Sequence, residues 1–154
     1  MLFDDVNTVD LKAKVSSAWV DFTSSLGILL PTLHPGTRLD LTLDPTATGT
    51  GDAVYEVTVI SGGTNSDEPG TAESTEFTAY AVGNANLPEG YRLDRTAVAD
   101  MIELGWSPPG VIEGSEGNFG LRFPLSDVSR IASLIARTMR GVYGAPHPAF
   151  LTYT

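Results

Sequence analysis

The 154-residue chain has no cysteine, only two histidines and only two lysines. Without cysteine there is no disulfide, no thiolate metal ligand and no thiol nucleophile. Two histidines are too few for a His-rich metal site, and both sit beside prolines, in His34-Pro35 and Pro146-His147-Pro148. Long apolar runs are also missing. None approaches the roughly 20 residues needed to cross a bilayer. The start, Met1-Leu2-Phe3-Asp4-Asp5, is acidic where a secretory signal is basic. A cytoplasmic protein is therefore expected. Basic residues are scarce, 9 against 19 acidic ones, for a net charge of −10. That balance argues against a general nucleic-acid binder and against docking on anionic membrane, because both need a basic surface.

What is present suits one folded domain over residues 1–154. Hydrophobic residues make up 42% of the chain, enough for a real core at this length. Leu11, Val15, Trp19, Phe22 and Leu26 recur at helical spacing and predict an amphipathic helix over 8–27, with Thr8 as cap and Gly27 as stop. Leu39, Leu41 and Leu43 alternate with polar residues and predict a strand. A second strand is expected over 53–61, with Tyr55, Val57 and Val59 on one face. A third is expected over 76–83, with Phe77, Ala79 and Ala81 on one face and Tyr80 and Val82 on the other. Residues 44–52, rich in Thr, Gly and Pro, read as a hairpin loop, and 62–76 as a long, flexible, acidic loop.

Asp94 is the expected N-cap of a short helix with Val98, Met101 and Ile102 as its buried stripe. Gly105 stands at the left-handed cap position and Trp106 just beyond it, as in a Schellman ending. Pro108-Pro109 forbids continuation. Phe119, Leu121 and Phe123 predict a fourth strand. Ser126 is the expected cap of a last helix over 127–143, with Val128, Ile131, Ile135, Thr138 and Val142 inward. The fold class is thus α+β, an antiparallel sheet of about four strands with helices packed mainly on one face, in the order α-β-β-β-α-β-α.

Charge is distributed unevenly. Residues 119–154 carry Arg122, Arg130, Arg137 and Arg140 against Asp127 alone, a net +3, which leaves −13 for residues 1–118. A basic strip on the last helix is suited to an acidic surface of a second copy or of a partner. The tail from Pro146 to Thr154 is Pro-stiffened and carries Phe150, Leu151 and Tyr153. It either docks on its own core or packs across an interface. Arg130, Arg137, Arg140, His147, Phe150, Leu151 and Tyr153 are the candidate interface residues.

A search for chemistry assigns no catalytic, cofactor-binding or metal-binding residue. Gly49-Thr50-Gly51 and Gly62-Gly63 lack the strand–turn–helix context and the lysine of a phosphate loop. No G-x-S-x-G elbow occurs. The carboxylate pairs Asp67-Glu68 and Glu113-x-x-Glu116 fall in loops, where no burial raises one carboxyl into a general acid. Weak divalent-cation binding is the most those acidic loops allow.

Four strings carry a family resemblance: AYAVGNANL (79–87), LGW-x-PP (104–109), Asn118-Phe119, and ARTMRGVYGAPHPAFL (136–151). Over residues 76–154 the chain resembles an actinobacterial group of small proteins within the YbjN-like and type III secretion chaperone-like superfamily. The Gly144–Leu151 ending is the most specific piece. The resemblance implies a sheet-and-helix fold, often paired into homodimers, which in the better-known relatives is a non-enzymatic peptide-binding chaperone for secreted proteins and in the actinobacterial members has mostly no assigned role, with no catalytic residue to carry over. The expected function is a non-enzymatic peptide- or protein-binding module. Its rival is a structural or regulatory subunit with one fixed partner.

Overall fold

Alternating apolar residues build the sheet. The computed structural model describes residues 2–44, 54–62, 76–112 and 114–153, with side chains from residue 12 onward. Strands β1 (Arg38–Leu43), β2 (Glu56–Ser61), β3 (Glu76–Val82), β4 (Asn118–Pro124) and β5 (Leu151–Tyr153) form one antiparallel sheet in the order β4-β3-β2-β1-β5. The register sets apolar side chains in rows. Leu41, Val57, Ala81 and Phe119 lie side by side, and Leu39, Val59, Ala79 and Leu121 form the next row. Phe77 and Phe123 face each other at the end of the sheet, their rings stacked 5.2 Å apart. One face is therefore apolar except for the buried Ser61 beside Phe77, and must be covered.

Three helices are arranged around that face. Helix α1 (Leu2–Leu29) buries Trp19, Phe22 and Leu26, which the spacing predicted. It extends beyond the expected span at both ends, and Gly27 lies inside it rather than ending it. A Cβ added at Gly27 would sit 3.9 Å from that of Ala132, an ordinary contact with the last helix. Glycine costs a helix about 1 kcal/mol, less than burying the flanking Leu26 and Leu30 contributes. The Thr8 cap lies outside the described side chains. So do most of the two expected loops, since residues 45–53 and 63–75 fall outside the description.

Helix α2 (Arg95–Leu104) begins as expected: the Asp94 carboxylate accepts from the Ala97 N–H at 2.8 Å. It ends at Gly105, whose φ of 124° only glycine adopts readily. There the Trp106 N–H bonds the Met101 carbonyl at 3.1 Å, closing the Schellman motif. Its stripe is narrower than predicted, because Met101 is buried whereas Ile102 is 41% exposed. Helix α3 (Val128–Arg137) follows a 3-10 turn over Leu125–Asp127, and Ser126 provides no side-chain cap. From Thr138 to Val142 it loosens into a π-helical turn that carries the chain to Tyr143.

The sheet has five strands rather than four. The tail docks beside β1, pairing Leu41 with Tyr153 and Leu43 with Leu151. Three residues are too few to show an alternation, so β5 has no signature in the sequence. Beyond the core, residues 107–112 and 114–117 lean on β4. Ser107 and Gly120 exchange two backbone hydrogen bonds, and a Cβ on Gly120 would lie 2.8 Å from Ile112.

A buried polar chain joins the helix layers. The Trp106 indole N–H donates to Thr138 Oγ1 at 2.9 Å, and that hydroxyl donates to the Leu134 carbonyl at 2.8 Å. Thr138→Val keeps the volume but leaves the indole donor without an acceptor, a loss of about 1–3 kcal/mol. Urea denaturation should show a lower midpoint at unchanged slope. An unchanged midpoint would mean the chain of bonds contributes nothing.

Candidate binding surface

Helix α3 is held by its inner stripe. Val128, Ile131, Leu134 and Ile135 are buried, so the opposite side faces outward. That side carries Arg130, Ser133 and Arg137, and the π-helical turn adds Arg140. Arg130 is 3.3 Å from Asp127 one turn earlier, a surface pair of little energetic weight. Arg137 and Arg140 are exposed and make no ion pair among the described residues.

Both arginines wall two grooves. Towards α2 lies a groove of about 680 Å³, with Asp100, Glu103 and Leu104 on its far side and Val142 at its end. It holds charges of both signs. Towards α1 lies a groove of about 370 Å³, lined by Ser16, Trp19, Val20 and Thr23 from α1 and by Ser133 and Ala136 from α3. Among the described residues no carboxylate lines it. Trp19 is only 4% exposed, and its buried indole nitrogen has no hydrogen-bond partner among the described residues.

The tail residues belong to a different place. His147 Nδ1 accepts from the Ala149 N–H at 2.9 Å and so caps the short turn over Pro148–Phe150. Leu151 is 5% exposed and part of the core. Tyr153 is 50% exposed, with its ring 6.4 Å from that of Phe22. Phe150 is 37% exposed. Neither His147 nor Phe150, Leu151 or Tyr153 bonds to the three arginines. The structure thus groups Arg130, Arg137 and Arg140 on α3 and sets His147, Phe150, Leu151 and Tyr153 at the β5 end of the sheet. The α1 and α2 walls of the grooves were absent from the sequence reading. Ser16, Val20 and Thr23 recur at helical spacing beside Trp19, but that pattern could not say that α3 lies opposite.

The outer face of the sheet is polar. Arg38 donates to Asp40 from Nε and Nη2 at 2.8–3.2 Å, and the Thr58 hydroxyl donates to Asp40 at 2.6 Å. Glu56 lies diagonally beside Asp40 and borders a cavity of about 410 Å³ with Tyr80, Asn86 and Asn118. Burial, and then the neighbouring Asp40, raise the Glu56 carboxyl above its ordinary range. Burial alone would raise Asp40 as well, but the hydrogen bonds from Arg38, Thr58 and Glu56 together hold it low. The asparagines of the resembling motifs act structurally. Asn84 exchanges two bonds with the Leu93 backbone, and Asn118 Oδ1 accepts from the Gly83 N–H and from Asn86 Nδ2.

Among the described residues no group of three or more His, Asp or Glu side chains is placed to hold a metal ion, and no helix is long and apolar enough to cross a membrane. Asp67, Glu68 and Glu113 lie outside the described residues. His34 is exposed in a turn.

Residues 12–154 match the model of the family described as T3SS (YopN, CesT) and YbjN peptide-binding chaperone 3. No curated protein and no solved structure matches the chain.

The carboxyl pair on the outer face makes stability depend on pH in opposite senses. Asp40, held low, stabilises the fold above its ordinary range and loses that contribution as pH falls through its folded value. Asp40→Asn should therefore cost about 1 kcal/mol at pH 7, a small figure because Arg38 is exposed, and less in acid. Glu56, raised, penalises the fold once it ionises. Glu56→Gln should raise the melting temperature at pH 7 and change nothing below about pH 4, where the carboxyl is protonated. A lower melting temperature for Glu56→Gln at pH 7 would refute this arrangement.

Proposed function

The chain belongs to the T3SS and YbjN peptide-binding chaperone family, and on that premise we propose that it is a non-enzymatic module holding a protein or peptide segment against the arginine face of α3. One observation carries the reading: Arg137 and Arg140 stand exposed, without an ion pair among the described residues, on the shared wall of two grooves. A guanidinium presents its donors in a fixed fork that matches a carboxylate. The acidic body around the strip, −13 against +3, repels an anionic partner elsewhere and steers it to this face. The preferred segment therefore carries acidic side chains.

A second surface fits a second copy of the chain. Strand β5 is the edge of the sheet, and Phe150 and Tyr153 expose their rings there. Edge strands pair readily with another chain. We read the protein as a homodimer formed at this edge, which leaves α3 of each copy open to its client. The same edge would serve the rival role, a subunit fixed to one other protein. Crosslinking in cells separates them: several unrelated clients favour the module, a single stoichiometric partner the subunit.

End-blocked acidic peptides and their amide counterparts, Glu replaced by Gln, provide the direct test. The unmodified protein should prefer the acidic set, and Arg137→Glu with Arg140→Glu should weaken binding tenfold or more, about 1.4 kcal/mol. Equal binding of both sets, or an unaffected variant, would remove the proposal's support. Light scattering tests the dimer. A mass near twice 16.3 kDa is expected, reduced by Tyr153→Asp. A lone 16.3 kDa species at high concentration would contradict it.

A further inference from the structure

The cavity of about 410 Å³ on the outer face of the sheet lies apart from the arginine face of α3. Strand alternation forms it. Val57 and Val59 of β2 and Ala79 and Ala81 of β3 are buried on the inner face, so Glu56, Thr58, Tyr80 and Val82 stand on the outer one and line the cavity. Its wall is the turn after β3, where Asn86 and Pro88 stand beside Asn118 of β4. Hydrogen bonds fix that wall. Asn118 Oδ1 accepts from Asn86 Nδ2 at 2.9 Å and from the Gly83 N–H at 3.1 Å, and Asn84 is bonded twice to the Leu93 backbone. The cavity is therefore formed before any ligand arrives. Its charge is unbalanced. Among the described residues that line it, Glu56 alone is charged. Asp40 beside it has its counter-ion in Arg38, at 2.8 Å, whereas Glu56 makes no ion pair among the described residues. The side chains outside the description include no lysine, arginine or histidine, so they supply no cation either. Burial, and then Asp40, already raise the Glu56 carboxyl, as happens to an anion short of a cation.

We propose that this cavity binds a small organic ammonium ion, its nitrogen paired with the Glu56 carboxylate and its carbon stem against Val82, Pro88 and the Tyr80 side chain. One carboxylate suits one positive charge. A divalent metal ion takes several oxygen ligands, and no group of three acidic or histidine side chains is placed for one among the described residues. Val54, Val82 and Pro88 give the cavity apolar surface, which favours a cation with a hydrocarbon part over a bare inorganic one. A free amine suits it better than the lysine of a bound strand. Strands β2 and β3 lie inside the sheet with both edges paired, so they offer no backbone groups to an added strand. Only side chains can hold the ligand. The chain's charge of −10 attracts any cation to some degree, so binding at this site has to be separated from diffuse attraction.

Three probes are titrated into the full chain at constant physiological ionic strength, with backbone amide NMR as the readout: n-butylammonium, n-butanol and an end-blocked lysine tripeptide. n-Butylammonium should shift the Glu56, Thr58 and Tyr80 signals saturably and leave those of α3 in place. n-Butanol, with the same stem and no charge, should not. The lysine tripeptide should bind no more tightly than n-butylammonium. Glu56→Gln should weaken ammonium binding about tenfold, as loss of a charged hydrogen bond predicts. Unfolding cannot cause that loss, because this substitution is expected to raise the melting temperature at pH 7. Glu76→Gln removes the same charge from the exposed far end of β3 and should leave binding unchanged. No saturable shift, or an equal response to n-butanol, would overturn the site. Equal weakening by Glu76→Gln and Glu56→Gln would reduce it to diffuse attraction and overturn it too. Tighter binding of the lysine tripeptide would overturn the free amine as its ligand. None of these outcomes bears on acidic peptides at α3, so the two readings stand or fall separately.

Discussion

The rest of the structure depends on covering one apolar sheet face. Rows of Leu, Val, Ala and Phe across β1 to β4 cannot face water, and the inner stripes of α1 and α3 are what meet them. This fixes the rotation of α3 about its own axis. With Ile131 and Ile135 wholly buried, Arg130, Ser133 and Arg137 have only one direction available, away from the core. The π-helical turn then adds Arg140 to that side. Packing, rather than any attraction between the arginines, assembles the cationic face, since like charges gathered there repel one another.

Polar groups settle how the layers are locked. Thr138 Oγ1 accepts from the Trp106 indole N–H and donates to the Leu134 carbonyl, so the cap of α2 is tied to the end of α3. The Tyr143 hydroxyl donates to the Val82 carbonyl at 2.8 Å, and its ring stacks on Tyr55 at 4.8 Å. Burial pushes that phenol far above its ordinary range, so it stays neutral and keeps its bond. The first of these ties holds α2 against α3, the two walls of one arginine groove. The buried Trp19 Nε1 and Ser61 Oγ stand apart from them, without a hydrogen-bond partner among the described residues.

Much of the fold was legible in the chain, and the reasons are specific. Leu39, Leu41 and Leu43 announce β1 because a sheet with one wet face forces a period of two. Asp94 and Gly105 mark the ends of α2 because their roles are local to a few residues. What depends on distant packing was not legible. Gly27 reads as a stop but lies within α1, because the gain from Leu26 and Leu30 outweighs local propensity. Ile102 reads as buried, yet it stays 41% exposed. The tail reads as docking on its own core or packing across an interface, and its docking as a strand beside β1 could not be foreseen from three residues. The arginines of α3 could be picked out by charge alone. The α1 and α2 walls opposite them could not, because a groove is a relation between helices far apart in sequence.

The central claim is that α3 presents its arginine face to a partner. Hydrogen exchange of the free chain against its complex with a crosslink-identified partner tests it most directly. Slowed exchange should concentrate in residues 16–24 and 133–142, with the outer face of β1 and β2 unchanged. Protection confined to β1, β2 and the cavity beside Glu56, with none on α1 or α3, would contradict the account and move the binding surface to the opposite side of the sheet.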